Sequence, residues 1–310
     1  MRSLVQDQID RIGQWREAIA RVRATYASVH LRAPRLLAPR RFTEKIQWRK
    51  LFDMNPVFAN LSDKFAVRSY IASCVGSEFL VPLLWSGAPH DIPFEQLRAP
   101  FVLKSNHASG QYIMISSDDD VDAAALWARA AEWLSEPFGI WRDEPGYVPV
   151  PPRIMIEKTV MTDDGARPEE LQMFVFDGKV AVINTVFVED GQIRNGAFHT
   201  PDWSRLDWHF SRLLEREFQR PRRLGDMIGI AERLGRGLDH VRVDFYDCGD
   251  RIYVGEMTLY AWSGHARFNP DEADLLLGAH WRIRSPFRRA VTAVSFGRRE
   301  IRPLPAQNSI

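Results

Sequence analysis

Asp244 in the run Val241-Arg-Val-Asp-Phe-Tyr246, and Glu256 and Thr258 in Arg251-Ile-Tyr-Val-Gly-Glu-Met-Thr258, are spaced so that two short strands bring acids together. Both runs are rich in Val, Ile, Phe and Tyr, and Asp247-Cys-Gly-Asp250 between them supplies a turn, so the expected local structure is a hairpin. If Asp247 pairs with Arg251 around a three-residue loop, Asp244, Glu256 and Thr258 share one face and Arg242 stands opposite Glu256. Two carboxylates, a hydroxyl and a guanidinium on one surface suit Mg²⁺ held against nucleotide phosphates. The competing reading is an ordinary solvated sheet face.

A second set of residues lies far upstream. Phe101-Val-Leu-Lys104 reads as a buried strand, Ser105-Asn-His-Ala-Ser-Gly110 as a small-residue loop, and Tyr112-Ile-Met-Ile115 as the next strand. Gly and Ser allow the loop's N–H groups to turn inward, and Lys104 adds a point charge, which together suit a phosphate. The spacing matches neither GxxxxGK[ST] nor GxGxxG, and a plain β-turn is the alternative.

The order of these blocks resembles the ATP-grasp superfamily, in its TupA-like branch associated with teichuronopeptide and polysaccharide biosynthesis. The resemblance runs from about residue 40 to 280. It is carried by Phe42-Thr-Glu-Lys-Ile-Gln-Trp-Arg-Lys50, Ser62-Asp-Lys-Phe-Ala-Val-Arg68, the Phe101–Gly110 block, Ile156-Glu157, Val241-Arg-Val-Asp244 and Gly255-Glu-Met-Thr258. It implies an α+β fold in which two subdomains clasp ATP. Lys64 and Lys104 would contact phosphates, with Ser109, Gly110 and His107 in the covering loop. Glu157 and Lys158 would form the hinge at the adenine edge, and Glu170 would also face the nucleotide. Asp244, Glu256 and Thr258 would hold Mg²⁺. Arg242 would stabilise reacting oxygens. Independently of the resemblance, Gly264, just after the acid-bearing strand, is either a backbone N–H donor to the acyl oxygen or a plain turn glycine. Two positions depart from the family pattern: Gln172 stands where Lys is common, with Arg153, Lys158 or Lys179 as compensating cations, and Ala108 stands where Gly is common. Arg194 and Arg267, with His199 and His265, are candidate contacts to a carboxylate or sugar substrate.

Length and composition agree with an enzyme of two or three subdomains. The 310 residues are 45% apolar, enough for a substantial core. No apolar run approaches the roughly 20 residues of a membrane span, and no leader opens the chain, so the expected location is cytoplasmic. Cys74 and Cys248 are too few for a disulfide framework and lack zinc spacing. Charge is uneven: residues 1–50 carry 12 Lys/Arg against 4 acids and 281–310 carry 7 against 1, leaving 22 against 35 in 51–280. Basic ends either touch anionic lipid or a lipid-linked glycan at the inner membrane face, at about 1 kcal/mol per basic residue, or dock on the acidic body. No aromatic-interleaved basic repeat points to nucleic acid.

The supporting elements follow from periodicity. Ile12, Trp15, Ile19, Val22, Tyr26 and Val29 mark one face of a helix over about 4–29. Pro34 and Pro39 precede a second helix, and Ser62 or Asp63 caps a third that ends at Gly76. Asp118-Asp-Asp120 is expected to cap a helix over 123–134. Strands over 154–160, 171–176 and 180–188 follow, with Asp177-Gly178 and Asp190-Gly191 as hairpin turns, and a helix over 224–238 leads to the acid-bearing hairpin. The expected division is a helical N-terminal extension (1–60), a first subdomain with the phosphate loop (61–165), a second with the metal site (166–280) and a basic tail (281–310). The reaction implied is ATP-dependent joining of a small carboxylate to an amine through an acyl phosphate, on a surface-polysaccharide or cell-envelope precursor. A nucleotide-sugar glycosyltransferase, with Asp244 and Asp247 or Asp118–Asp120 on the metal, and a non-catalytic ATP-binding scaffold are the alternatives.

Overall fold

Strand Glu170–Phe176 (β5) is buried at nearly every position, so it belongs in the middle of a sheet, and the computed structural model places it there. The structure describes residues 4–189, 192–210 and 216–283. In chain order the helices are Leu4–His30 (α1), Phe42–Phe52 (α2), Val57–Ser62 (α3), Val67–Val75 (α4), Ala123–Ser135 (α5), Phe138–Trp141 (α6), Leu224–Leu234 (α7) and Glu272–His280 (α8). Strands Leu83–Gly87 (β1), Phe101–Ser105 (β2), Tyr112–Ile115 (β3) and Ile154–Lys158 (β4) form a four-stranded antiparallel sheet in the order β1-β4-β2-β3. Beside β5, strands Lys179–Glu189 (β6), Gln192–His199 (β7), Arg205–Leu206 (β8), His240–Asp247 (β9) and Ile252–Thr258 (β10) form a six-stranded sheet, ordered β10-β9-β5-β6-β7-β8.

Each sheet has its own core. Helix α5 buries Leu126, Ala130 and Trp133, one helical face, against Phe101, Leu103, Ile154 and Ile156 of the small sheet. Its N-cap is Asp122, which accepts from Ala125 N (3.0 Å). Asp118–Asp120, expected to cap it, instead form their own short turn, with Asp118 accepting from Ala99 N (2.7 Å) and Asp120 from Ser117 N (2.9 Å). Under the large sheet, α7 buries Leu224, Met227, Ile230, Ala231 and Leu234. The Asp177-Gly178 turn is as the sequence predicts: both residues take left-handed φ (47° and 77°), as a two-residue hairpin loop with the right twist requires. The second predicted turn, Asp190-Gly191, lies outside the described residues.

The expected boundary at 60/61 cuts through packed structure. Phe42, Ile46, Phe58, Leu61, Val67 and Ile71 belong to the core of the large sheet. Helix α2 buries nine of its eleven residues, charged ones included. Arg49, fully buried, donates to Asp239 Oδ1 (2.7 Å) and Leu259 O (2.9 Å), and Lys45 Nζ donates to Gly278 O (2.8 Å) and Trp281 O (2.6 Å), closing the C-terminal end of α8. These helices are part of the large body, not an extension. Helix α1 docks on that body through buried Val22 and Tyr26. Two of its neighbouring bases pair with acids of the body, Arg21 with Asp143 and Arg32 with Asp271 (both 2.7 Å). Most of the basic C-terminal tail lies outside the described residues.

The β9–β10 hairpin forms, with a different register from the expected one. Its loop has four residues, so that Asp247 faces Ile252 and Phe245 faces Val254. An irregularity at Gly255 then sets Glu256 opposite Asp244, and Thr258, not Glu256, opposite Arg242. The four polar residues still share one face, because the extra residue turns the strand after Val254 has entered the core. A Cβ at Gly255 would meet the Tyr246 ring at 2.8 Å, which explains a glycine there.

Candidate functional site

Alternation along the strands aims polar side chains of both sheets into one cavity of about 350 Å³. Val102 and Lys104 on β2 pair with Met114 and Tyr112 on β3, and with Glu157 on β4 they make the small-sheet wall. Glu170 and Gln172 on β5, Arg242, Asp244 and Tyr246 on β9, and Glu256 on β10 make the large-sheet wall. The loop Ala108–Gly110 and Lys64, between α3 and α4, close one end. The base of that loop is fixed by Asn106, whose Nδ2 donates to Asp63 Oδ1 (2.9 Å) and Pro151 O (3.0 Å), while Ser109 and Gly110 at its tip are exposed.

The large-sheet wall is crowded with carboxylates. Arg242 grips Asp244 with two parallel bonds, Nε to Oδ1 and Nη2 to Oδ2, both 2.7 Å. Burial nevertheless raises the Asp244 carboxyl above its ordinary value, against the pull of Arg242, and the Glu256 charge adds to the rise. Burial, then the Asp244 charge, pushes Glu170 up to about 7. Gln172 Nε2 donates to Glu170 Oε1 (2.8 Å), and its own Oε1 accepts from Asn184 Nδ2 (2.9 Å). The opposite wall is cationic. Lys104 Nζ lies 2.5 Å from Glu157 Oε2, and Lys64 Nζ donates to Ala108 O (2.5 Å) and lies 3.5 Å from Glu256 Oε1.

Ten of the expected residues therefore meet at the cavity: Lys64, Lys104, Ser109 and Gly110 at the phosphate end, Glu157 and Lys158 on β4, and Glu170, Arg242, Asp244 and Glu256 on the large sheet. Five do not line it. Thr258 sits behind Asp244, its hydroxyl accepting from Arg242 Nη2 (3.3 Å). The His107 ring is buried beside the backbone of Trp133 and Glu136, at the end of α5, and burial lowers its pKa. Gly264 packs against α2: its carbonyl accepts from His30 Nε2 (3.1 Å), and a Cβ would fall 2.4 Å from Gln47 Nε2. Arg194 pairs with Phe187, one residue out of phase with Val186, which lines the cavity, and so points to the other face of the sheet. Arg267 is exposed beyond the short turn Ala261–Gly264.

Of the cations offered as substitutes at position 172, only Lys158 reaches the cavity. Lys179 pairs with Glu232 (2.9 Å), and the Arg153 guanidinium lies over the Phe65 ring (4.2 Å). Arg167 also lines the cavity and carries no sequence signal; it sits in an irregular connection with no motif around it. Arg68, which holds Glu157 at 2.8 Å, enters the sequence reading only as part of a block.

Among the described residues no three His, Cys, Asp or Glu side chains converge as a ready-made metal cage. The donors present still fit Mg²⁺, which takes one or two protein carboxylates and fills its other positions with water and phosphate oxygens. Asp244 faces Glu256 across the hairpin, and both line the cavity with Glu170, three oxygen donors whose mutual repulsion a divalent cation relieves.

Comparison with solved structures finds D-alanine–D-alanine ligase from Bacillus anthracis (16% identity, 78% of this chain and 69% of that one, TM-score 0.41). It also finds the ATP-grasp ligase PsnB in complex with a phosphomimetic precursor variant, Mg and ADP (12%, 81% and 66%, 0.40) and N5-carboxyaminoimidazole ribonucleotide synthetase from Thermus thermophilus (12%, 64% and 45%, 0.37). The chain thus spans from under half to about two thirds of the length of these proteins. No curated protein sequence matches it. The family model described as TupA-like ATPgrasp matches residues 44–282, from within α2 through Arg282 just beyond α8 and so across both sheets: the chain belongs to the TupA-like ATP-grasp family.

Proposed function

We propose that this protein is an ATP- and Mg²⁺-dependent ligase that joins a carboxylate to an amine, with ADP and phosphate as products. The observation that carries the reading is a single cavity lined both by the carboxylates Glu170, Asp244 and Glu256 and by the cations Lys64, Lys104, Lys158 and Arg167. A ligand that brings both a divalent cation and a chain of phosphates satisfies both walls at once. A carboxylate is a poor electrophile until one of its oxygens becomes a good leaving group. Attack of that oxygen on the γ-phosphorus, with loss of ADP, makes an acyl phosphate; attack of the amine on the acyl carbon then expels phosphate and releases a proton to solvent. Lys64 and Lys104 neutralise phosphate oxygens throughout, and Arg242, fixed in orientation by Asp244 and by the Trp262 ring 5.4 Å away, is poised for the oxyanion. Bound Mg²⁺ would supply further neutralisation of phosphate charge from the side of Asp244 and Glu256.

The branch's association with teichuronopeptide and polysaccharide synthesis makes a cell-envelope precursor our expected substrate, and the need for ATP makes the cytoplasm the expected location. Among the described residues no helix is long and apolar enough to cross a membrane. The glycosyltransferase reading loses its motivation: Asp247 lies on the opposite face of β9 from Asp244, and Asp118 and Asp120 are taken up by backbone N–H groups. Incubation with ATP, Mg²⁺, a pool of carboxylates and hydroxylamine tests the proposal. A hydroxamate with stoichiometric ADP is expected, slowed by two or more orders of magnitude in a folded Arg242→Ala variant. AMP and pyrophosphate, or sugar transfer without ATP cleavage, would overturn it.

A further inference from the structure

Arg68, the last residue of the Ser62–Arg68 block, does not line the cavity, yet it touches its wall twice. Nη1 donates to Glu157 Oε1 (2.8 Å), and Nη2 donates to Val81 O (2.9 Å). Arg68 stands on α4, whose buried face packs in the large-sheet core, whereas Glu157 is on β4 of the small sheet. The other oxygen of Glu157 holds Lys104 Nζ at 2.5 Å. One buried carboxylate is thus shared by two cations, one behind the wall and one inside the cavity.

The charges decide what this sharing does. A Glu157–Lys104 pair alone is neutral and offers a phosphate chain little. With Arg68 the cluster carries one net positive charge, and Lys104 keeps two N–H donors beyond the one directed at Glu157. We infer that Arg68 is a positioning residue that neutralises Glu157 from behind, so that Lys104 presents an uncompensated charge to the ligand's phosphates while Glu157 fixes its ammonium in place. The inference rests on the ATP-binding reading above. It also assigns the Glu157 side chain a task besides any part of this stretch in reading adenine.

Calorimetric titration of the full-length protein with ATP, tripolyphosphate and adenosine tests this, with thermal unfolding measured for each variant. Arg68→Met should weaken ATP and tripolyphosphate about tenfold or more and leave adenosine within about twofold. Adding Glu157→Gln to Arg68→Met should restore most of the loss, because the neutral amide no longer cancels Lys104, and Arg68→Lys should recover part of it. A packing role alone would weaken adenosine equally and would not be rescued by Glu157→Gln; either result overturns the inference. Failure of the unaltered protein to bind ATP or tripolyphosphate would overturn the ATP reading itself, and the inference with it.

Discussion

The two walls of the cavity are built by opposite strategies. On the large sheet, carboxylates are buried and pressed together: Asp244 is neutralised by one guanidinium, and Glu170 is held near neutral pH by burial. On the small sheet and at the end of the cavity, Lys104 is tethered to Glu157, and Lys64 to Ala108 O and Glu256, and each keeps a donor to spare. The first arrangement is rigid and strained by its own charge; the second holds its cations in place but leaves N–H donors for a ligand. A preformed anionic wall suits a small, geometrically demanding cation, and a tethered cationic wall suits a flexible phosphate chain.

The sharpest way to break this contrast is at Asp244. Asp244→Ala strands a buried guanidinium and should cost about 3–5 kcal/mol of stability in denaturant unfolding, together with loss of any Mg²⁺-dependent thermal shift by ATP. A small loss with the shift intact would mean that the wall is neither rigid nor anionic in function. Lys104→Met removes a tethered charge and should weaken ATP by about 1–3 kcal/mol by calorimetry while sparing adenosine and the fold.

Glu170 gives a comparable effect with a sign fixed by its titration. Its folded pKa of about 7 exceeds the ordinary 4.5, so its protonated form favours folding. The resulting stabilisation is complete below about pH 4.5 and is lost as pH rises through about 7. Glu170→Gln should therefore be more stable than the unaltered protein at pH 8, on the order of 2 kcal/mol, with the difference shrinking toward pH 5. Added Mg²⁺ should narrow the gap at pH 8. A gap that is flat with pH would remove the charge crowding from the account. The smallest effect is expected at Arg194, on the far face of β7: Arg194→Ala should leave ATP affinity and stability within about 0.5 kcal/mol. A larger drop in affinity would mean that the site extends beyond the cavity.

Much of this contrast was legible from sequence where the signal was local. Alternation and turn chemistry were enough for the β9–β10 hairpin, β2 with Lys104, and the Asp177-Gly178 turn. The hairpin's register was not legible, because it depends on how Gly255 makes room for the Tyr246 ring. Nor was Arg68's partner, 89 residues away in β4. Helix α2 was the least legible: nothing local marks Lys45 and Arg49 as buried, because their partners lie near the other end of the chain.

That last feature bears on how the protein comes into being. Thr43 pairs with Asp274, Lys45 with Gly278 and Trp281, and Arg49 with Asp239, across 190 to 236 residues of intervening chain. Contacts of such sequence separation form late and slowly. During synthesis α2 emerges with its buried charges and aromatic residues unpartnered, and must wait until residues up to 281 have left the ribosome before its core closes. The small sheet with α5, whose contacts lie within residues 83 to 158, has no such wait and can order first. A nascent chain halted near residue 165 would then carry a folded small sheet and, ahead of it, an N-terminal segment dependent on chaperones.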